Sequence, residues 1–315
     1  MLNKISVVIN TYNEEKNIKT CLDSVSWADE IIIVDMHSSD NTIRICQEYT
    51  DKIHFFQKVG FVEPARNFAI SKAINEWVLV LDADERILEG LKSKIIGLIN
   101  QNKYDYIELP RKTFMFGRWI MHSGCNNECY PRLFRKGKVI WKDEIHSSPT
   151  LTGVGFILNP EKCDEYIDHY SYSDISQFVE KLNRYTSKEV LTFLKKDEKF
   201  SLENMYKKSF NDFLVRFFDK KGYADNYHGI VYCELMNFYW IIAYLKLWEN
   251  SKYNISLITD DRIKNTVNQC LINNFENFLY FWHKNENISL FRKIILGLIR
   301  KIIKVSLKLI KFIIS

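Results

Sequence analysis

The first half of the chain alternates short runs of β-branched apolar residues with longer stretches whose apolar residues recur at helical spacing. This alternation is typical of βαβ units and predicts an α/β fold with a mostly parallel sheet covered by helices. The predicted strands are 5–10, 30–35, 52–57, 77–82 and 104–109, and the predicted helices are 15–25, 40–49, 63–74 and 87–99. The segment 132–141 predicts a hairpin added to this sheet, with its turn at Lys136-Gly137.

After residue 170 the pattern changes to long helical periodicity with little strand signal. The predicted helices are 174–195, 202–219, 227–249 and 260–284. The apolar run 229–249 contains Glu234, Lys246 and many aromatic residues, so we expect a buried helix and not a membrane-spanning one. The predicted organisation is an α/β domain at 1–170, a helical domain at 171–287 and a separate C-terminal segment at 288–315.

The C-terminal segment 288–315 carries seven Lys or Arg residues and no acid. The whole chain has a net charge of +5, and without this segment its acidic residues outnumber its basic ones. The basic charge therefore belongs to the segment, and the sequence does not indicate binding to nucleic acid. Six of the basic residues fall on one helical face, which predicts an amphipathic helix lying on an anionic membrane surface. The alternative is a helix packed on the protein's own helical domain.

The N-terminal run and the cysteines bear on the cellular compartment. The chain opens directly into a predicted strand, without the pattern of a secretory signal. The seven cysteines are scattered and odd in number, which is typical of reduced thiols. Together with the basic segment, these features predict a cytoplasmic protein bound peripherally to the inner face of the plasma membrane.

Polar side chains follow three of the predicted strands at the points where the strands end. They are Asn10, Thr11, Tyr12, Asn13 and Glu14 after the first strand, Asp35 after the second, and Asp82 and Asp84 after the fourth. Ligands of open α/β sheets bind outside the carboxyl ends of the strands, so we expect these groups to share one crevice. A carboxylate such as Asp35 can accept hydrogen bonds from a nucleobase or a ribose hydroxyl, and the ring of Tyr12 can cover the base.

The stretch VLVLDADE, residues 78–85, places three acids directly after an apolar run. Crowded acids repel one another, so either the stretch is a solvated strand end or a cation lies beside it. On an extended strand the carboxylates of Asp82 and Asp84 would point the same way and could share one Mg²⁺ or Mn²⁺ ion. Such a metal neutralises the charge that develops on a departing diphosphate.

Three segments of the first half carry a family resemblance: SVVINTYNEEKNIKTCLDSVSWADEIIIVDMHSSDNT, PARNFAI and WVLVLDADERI. They resemble the family 2 glycosyltransferases with the GT-A fold. Four further segments, PRKTFMFGRWIMHSG, RLFRKG, HYSYSDISQFVEKLNRYTSKE and GYADNYHGIVYCELMNFYWIIAYLKLWE, resemble the branch that includes lipopolysaccharide-core glucosyltransferases. The resemblance implies inverting transfer of a hexose from a UDP-sugar, UDP-glucose or UDP-galactose, with Mg²⁺ or Mn²⁺. The implied acceptor is a saccharide of a bacterial surface glycan, either lipopolysaccharide or lipooligosaccharide core or a lipid-linked oligosaccharide.

The resemblance also implies roles for individual residues. The nucleoside would be held by Thr11, Tyr12, Glu14 and Asp35, and Arg66 would reach the base or the diphosphate. Asp82 would bind the ribose. Asp84, together with Asp82, would bind the metal. For Arg66 the alternative is an ordinary arginine on a helix surface.

The general base is where the sequence departs from the family pattern. The branch carries Val-His-Glu after the hairpin, whereas this chain has Ile145-His146-Ser147, and serine is a poor base. We favour Glu128, which stands where a family loop has an aspartate, over Glu144. His146 would be a third metal ligand or a diphosphate contact, with a packed structural histidine as the alternative.

The sequence is compatible with two other functions. The missing glutamate would permit a catalytically impaired, membrane-associated protein that only binds nucleotide sugars. A glycosyltransferase that modifies a protein or peptide could share the same N-terminal half, although the resemblance in the second half weighs against this reading.

Overall fold

The computed structural model describes residues 3–57, 63–125, 129–141, 148–159, 165–253 and 260–285. The chain divides into two compact units. The first, here called the sheet unit, comprises Met1–Trp119 and Cys125–Ser171. The second, called the helical unit, comprises Ile120–Gly124 and Tyr172–Ser315. The short segment Ile120–Gly124 thus belongs to the helical unit, although the chain on both sides of it belongs to the sheet unit.

The first part of the chain contains all five predicted strands and all four predicted helices, two of the strands with the predicted ends and the other elements with shifted ends. The strands are β1 (Ile5–Thr11), β2 (Glu30–Asp35), β3 (Ile53–Phe55), β4 (Trp77–Asp82), β5 (Glu85–Ile87), β6 (Tyr106–Met115), β7 (Arg118–Trp119), β8 (Cys129–Arg135), β9 (Val139–Ile140), β10 (Thr150–Leu151), β11 (Gly155–Ile157) and β12 (Ile167–Tyr172). The helices are α1 (Ile18–Val25), α2 (Thr42–Cys46), α3 (Glu63–Lys72) and α4 (Glu89–Asn100).

The main sheet has the strand order β3-β2-β1-β4-β8-β6-β12-β5, with β7 and β11 also pairing with β6. The four strands β3, β2, β1 and β4 are parallel, whereas β8 is antiparallel to both of its neighbours. The parallel strands come from the alternating part of the sequence, where each helix carries the chain back to start the next strand. The α/β fold with a mostly parallel sheet is confirmed.

Strand β1 lies between β2 and β4, and all seven of its residues are buried. Ile5, Val7 and Ile9 pack in the cluster that includes residues of α1 and α4, whereas Val8 packs in the cluster that includes residues of α3. Because both faces are covered, the strand is apolar throughout its middle and shows no alternation with polar residues. Its carboxyl end carries the first polar groups of the predicted crevice.

The predicted hairpin at 132–141 is wrong. The turn is present, since Lys138 N donates to Arg135 O at 3.0 Å and Gly137 has a φ of 84°. However, β8 already pairs with β4 on one side and with β6 on the other, so neither of its edges is left for a hairpin partner. Strand β9 pairs instead with β10 in a separate two-stranded sheet.

The helical unit follows the predicted pattern closely. Its helices are α5 (Ile175–Lys195), α6 (Leu202–Leu214), α7 (Asn226–Asn250) and α8 (Asp260–Asn285). A π-helical stretch at Val215–Asp219 and a 3₁₀ turn at Gly222–Asp225 connect α6 to α7. The aspartate and serine that precede α5 and α6 cap them, because Asp174 and Ser201 accept from Gln177 N and Asn204 N.

Helix α7 is the apolar run for which a buried helix was predicted. Tyr232, Ala243, Tyr244 and Leu247 are buried, and α7 packs against α5 and α6. Over the part of the chain that the structure describes, Gly222–Asn250 passes a test of length and composition for crossing a membrane, with 28% of its most apolar stretch buried. A core helix passes the same test. The amphipathic helix predicted at 288–315 lies outside the described residues.

Candidate active site

The polar ends of β1, β2 and β4 lie side by side, because these strands are neighbours in the sheet. Thr11 of β1 is in register with Asp35 of β2, and Asn10 is in register with Asp82 of β4. Among the described residues, the amide oxygen and nitrogen of Asn10 and the hydroxyl of Thr11 are buried without a hydrogen-bond partner. Buried polar atoms in a native fold are nearly always satisfied, so unpaired ones at strand ends favour a polar ligand.

Asp35 is fully buried and holds the turn that follows β2. Ser38 donates twice to its carboxylate, from its N to Oδ1 at 2.7 Å and from its Oγ to Oδ2 at 2.5 Å. The same serine ties this turn to the loop after β1, because Asn13 N donates to Ser38 Oγ at 2.8 Å. In that loop Glu14 accepts from Asn17 Nδ2 at 2.8 Å, and Tyr12 is half-buried. The structure therefore brings the four predicted nucleoside residues onto two adjoining strand ends and their loops.

The acids of the VLVLDADE stretch differ in backbone and in partners. Strand β4 ends at Asp82, and Ala83-Asp84 form a turn before β5 begins at Glu85. The extended geometry assumed for Asp82 and Asp84 therefore does not continue to Asp84, because the chain must turn there to enter β5. Asp82 is paired with arginines, whereas Asp84 Oδ2 lies 3.5 Å from Nε2 of His169 on β12.

Three arginines from different elements provide the positive charge beside these acids. Arg66 of α3 donates from Nη2 to Asp82 Oδ1 at 2.7 Å. Arg132 of β8 donates from Nη2 to Asp82 Oδ2 at 2.8 Å and to Glu85 Oε1 at 2.9 Å. Arg111 of β6 lies 3.7 Å from Glu85 Oε1. The crowded acids are thus compensated by the chain itself, which excludes the solvated strand end.

The two acids that share Arg132 have opposite pKa shifts. Burial alone would raise the pKa of Asp82, but the charges and hydrogen bonds of Arg132 and Arg66 outweigh burial and hold the pKa well below its usual value. For Glu85 burial dominates, and with repulsion from Asp82 it raises the pKa despite the nearby arginines. Asp82 is therefore the firmly ionised member of the pair.

The Asp84 carboxylate would provide an oxygen ligand to a metal ion, and the His169 imidazole a nitrogen ligand. Among the described residues no group of three His, Cys, Asp or Glu side chains is arranged to hold a metal. A site with two protein ligands still fits Mg²⁺ or Mn²⁺, which commonly take one or two carboxylates and fill the remaining positions with substrate phosphates and water. His169 Nδ1 is buried without a partner among the same residues, so the ring is not already held by a hydrogen bond at that atom.

Comparison with known proteins identifies the family. Residues 6–164 match the model of "Glycosyl transferase family 2". The chain belongs to this family. A glycosyltransferase of Rickettsia typhi is 29% identical over 280 residues, which cover 86% of this chain and 94% of the relative. The poly(ribitol-phosphate) β-N-acetylglucosaminyltransferase TarS of Staphylococcus aureus is 30% identical over 122 residues, 35% of this chain and 21% of TarS.

Solved structures of TarS are also similar to this family 2 glycosyltransferase. The structure of S. aureus TarS 1–349 covers 82% of this chain and 94% of its own, with 17% identity and a TM-score of 0.42. The same segment in complex with UDP-GlcNAc covers 88% and 81%, with 16% identity and a TM-score of 0.43. Family membership and the observed sheet with its helical C-terminal region confirm the GT-A fold and the prediction of a glycosyltransferase.

Four residues of the cluster were missed or left without a role by sequence reasoning: Glu85, Arg111, Arg132 and His169. The three acids in VLVLDADE indicated that cations lie nearby, but the sequence did not show which residues supply them. His169 comes to Asp84 because β12 pairs antiparallel with β5, with His169 opposite Glu85. The three predicted catalytic residues, Glu128, Glu144 and His146, lie outside the described residues.

Proposed function

We propose that this family 2 glycosyltransferase is an inverting, metal-dependent enzyme that moves a hexose from a UDP-sugar to a saccharide acceptor of a bacterial surface glycan. The observation that carries the proposal is that Asn10 and Thr11, whose buried side-chain polar atoms have no hydrogen-bond partner among the described residues, lie beside the acids of the Asp82–Glu85 stretch. The acceptor would belong to a lipopolysaccharide or lipooligosaccharide core or be a lipid-linked oligosaccharide. The name of TarS describes transfer of N-acetylglucosamine, and one of its structures contains UDP-GlcNAc. UDP-GlcNAc is therefore a third donor to test, beside UDP-glucose and UDP-galactose.

On the donor side, Thr11, Tyr12, Glu14 and Asp35 would bind the nucleoside, and Asp82 would accept from a ribose hydroxyl. Asp82 supports this role because Arg132 and Arg66 hold its pKa well below the usual value, which favours the ionised form that accepts hydrogen bonds. Arg66 already donates to Asp82, so its proposed contact with the base or diphosphate would use its remaining N–H groups.

Asp84, together with His169, would hold the Mg²⁺ or Mn²⁺ ion. A bound metal supplies charge neutralisation for the departing diphosphate. Asp82 is a poorer candidate for a ligand, because both of its oxygens already accept from arginines. The proposed division is therefore a metal at Asp84 and a ribose contact at Asp82.

Glu128 is the proposed general base, with Glu144 as the alternative and His146 as a diphosphate or metal contact. We expect Glu128→Gln to lower kcat by about 10²–10⁴-fold and to leave the affinity for UDP unchanged, because proton removal matters only as the transition state forms. Steady-state kinetics and UDP titration measure the two effects. Glu144→Gln is the matched control, and a dead Glu144→Gln beside an active Glu128→Gln would reverse the assignment.

The basic segment 288–315 is proposed to lie on the anionic inner surface of the plasma membrane, close to a lipid-linked acceptor. We expect deletion of 288–315 to reduce sedimentation with anionic liposomes and to slow transfer to membrane-embedded acceptors more than hydrolysis of the donor, since each basic residue near such a surface contributes about 1 kcal/mol. Neutral liposomes are the control. Equal binding of the full and truncated chains to anionic liposomes would contradict the proposal.

The test of the function is UDP release from a panel of UDP-glucose, UDP-galactose and UDP-GlcNAc with Mn²⁺ or Mg²⁺. Each donor is offered with a core saccharide, a lipid-linked saccharide or a peptide. Release that requires a saccharide acceptor and stops with excess chelator supports the proposal. UDP binding without release would instead indicate a nucleotide-sugar-binding protein, and transfer to the peptide alone a protein glycosyltransferase.

A further inference from the structure

Asn67 of α3 holds the peptide groups of Trp141, the residue that follows β9. Its Nδ2 donates to the carbonyl of Trp141 at 2.7 Å, and its Oδ1 accepts from Trp141 N at 3.2 Å. The ladder between β9 and β10 ends at Ile140, which is in register with Thr150. The amide of Asn67 therefore satisfies the backbone at the point where the strand partner stops, and it ties Trp141 to α3.

The ring of Trp141 is fixed as well as its peptide. Trp141 is 7% exposed and belongs to the core cluster that includes Ala65 and Ala69 of α3. Phe134 of β8 lies against the ring, with 5.6 Å between the two ring centroids. A side chain whose rotamer is held by packing and whose backbone is held by hydrogen bonds can act as a rigid support for a neighbouring functional group.

The group that this support holds is the guanidinium of Arg66, the neighbour of Asn67 on α3. Its central carbon lies 5.9 Å from the centroid of the Trp141 ring, and its Nη2 donates to Asp82 Oδ1 at 2.7 Å. The face of a tryptophan ring attracts a guanidinium placed over it at such a distance. Arg66 is therefore held by two partners, a buried ring and an ionised carboxylate.

The consequence of these contacts is an arginine that is ordered before any ligand binds. The Arg66 side chain is 13% exposed, so it is not an ordinary arginine on a helix surface. Among the described residues its buried Nε has no hydrogen-bond partner. A free arginine side chain loses much rotamer entropy when a ligand fixes it, whereas one that is already fixed does not. Pre-ordering of this kind increases the affinity for a ligand.

We propose that Asn67 and Trp141 are positioning residues for the donor: Asn67 fixes Trp141, and the Trp141 ring holds the Arg66 guanidinium in place beside Asp82 for binding of UDP. This inference rests on the proposed function, in which Arg66 contacts the base or the diphosphate. Neither Asn67 nor Trp141 is assigned a contact with the donor. Their effect on the affinity for UDP must therefore depend on the presence of Arg66.

The test is a double-mutant cycle of Asn67→Ala and Arg66→Met in the full-length protein, with the affinity for UDP measured by calorimetry in the presence of Mn²⁺. Asn67→Ala removes both hydrogen bonds to the Trp141 peptide. With Arg66 present, we expect it to weaken UDP binding about tenfold, because the guanidinium is no longer pre-ordered. With Arg66→Met in place, we expect Asn67→Ala to have no further effect on the affinity.

Two substitutions of Trp141 test the ring separately from its peptide. Trp141→Phe keeps an aromatic ring, which attracts a guanidinium more weakly than the indole does, so the affinity for UDP should fall about threefold. Trp141→Leu removes the ring and should lower the affinity about tenfold. When either variant is combined with Arg66→Met, the difference in UDP affinity between the two should disappear.

The matched control is Asn3→Ala, at the opposite end of β1 from Thr11. Asn3 Nδ2 donates to the carbonyl of Ile99 at 2.7 Å, so this variant also removes a hydrogen bond from an asparagine amide to the backbone of the sheet unit. It should leave the affinity for UDP unchanged with and without Arg66. Thermal midpoints are measured for all variants, and the affinities are compared at a temperature at which every variant is folded.

Two results would overturn the inference. One is an unchanged affinity for UDP in Asn67→Ala. The other is an equal loss of affinity with and without Arg66, which would show that the effect does not pass through that side chain. Because the readout is binding, a wild type that binds UDP without transferring sugar contradicts the proposed reaction alone, whereas a wild type that does not bind UDP contradicts both.

Discussion

Replacement of Asp84 by alanine is expected to lower the rate of sugar transfer by about 10³-fold, because it removes the carboxylate proposed to hold the metal. A metal contributes several kcal/mol of charge stabilisation in the transition state, and each 1.36 kcal/mol is about a tenfold change in rate. Asp84 lies in a turn and is not part of the apolar core, but its side chain is 13% exposed and lies 3.5 Å from His169, so its loss should cost about 1 kcal/mol of the free energy of unfolding.

Three measurements separate a metal role from a structural one: kcat with Mn²⁺, the affinity for UDP with and without Mn²⁺, and the thermal midpoint. In Asp84→Ala the affinity for UDP should no longer depend on Mn²⁺. The matched control is Glu89→Ala, which removes an exposed acid that pairs with Lys92 and should leave all three unchanged. Full activity of the wild type in excess chelator, or transfer by Asp84→Ala at nearly the wild-type rate, would remove the metal from the proposal.

The variant Arg132→Met is expected to lose about 3 kcal/mol of the free energy of unfolding, because it breaks a buried ion pair and leaves Asp82 with Arg66 and Glu85 with Arg111 at 3.7 Å as partners. Arg132 is 5% exposed and is the residue that pairs with both Asp82 and Glu85. Methionine fills much of the same volume, so the loss reports charge more than packing. Urea unfolding at neutral pH measures the difference.

Two further variants show whether the charge is the cause. Arg135→Met, on the same strand, breaks a pair with Glu76, whose side chain is 60% exposed, and hydrogen bonds to Tyr104 O and Asn102 Oδ1, and should cost less than Arg132→Met because no buried acid loses its partner. Adding Glu85→Gln to Arg132→Met removes the buried acid whose remaining arginine, Arg111, lies 3.7 Å away, and should recover part of the loss. An Arg132→Met protein as stable as Arg135→Met would show that the buried network contributes little.

The pH dependence of this stability follows from Asp82. Its pKa in the folded protein lies well below the usual value, so its ionised form contributes stability that is present above the usual pKa and is lost as pH falls through the lowered one. Without Arg132 the pKa of Asp82 is less depressed. The difference in stability between wild type and Arg132→Met should therefore be largest at neutral pH and should shrink in acid.

The hydrophobic pattern of the sequence determined the elements and the class of fold. Strand β1 is apolar through its middle because both of its faces are covered, and α5 has an apolar stripe because one of its faces is buried. Such patterns involve residues close in sequence, so they predict strands and helices without knowledge of the tertiary structure. The same local information predicted that Thr11, Asp35 and Asp82 share one crevice, since the carboxyl ends of parallel strands lie at one edge of the sheet, and the structure places them on neighbouring strands.

Only the tertiary structure decided which cations lie beside the acids and where the later strands pair. Arg132 reaches Asp82 because β8 inserts antiparallel between β4 and β6, and the same insertion leaves β9 to pair with β10. His169 reaches Asp84 because β12 pairs with β5, far away in sequence. These pairings depend on which strand edges remain open once the parallel strands have assembled. Which edges remain open depends on the packing of the whole sheet, so no local stretch of sequence determines these pairings.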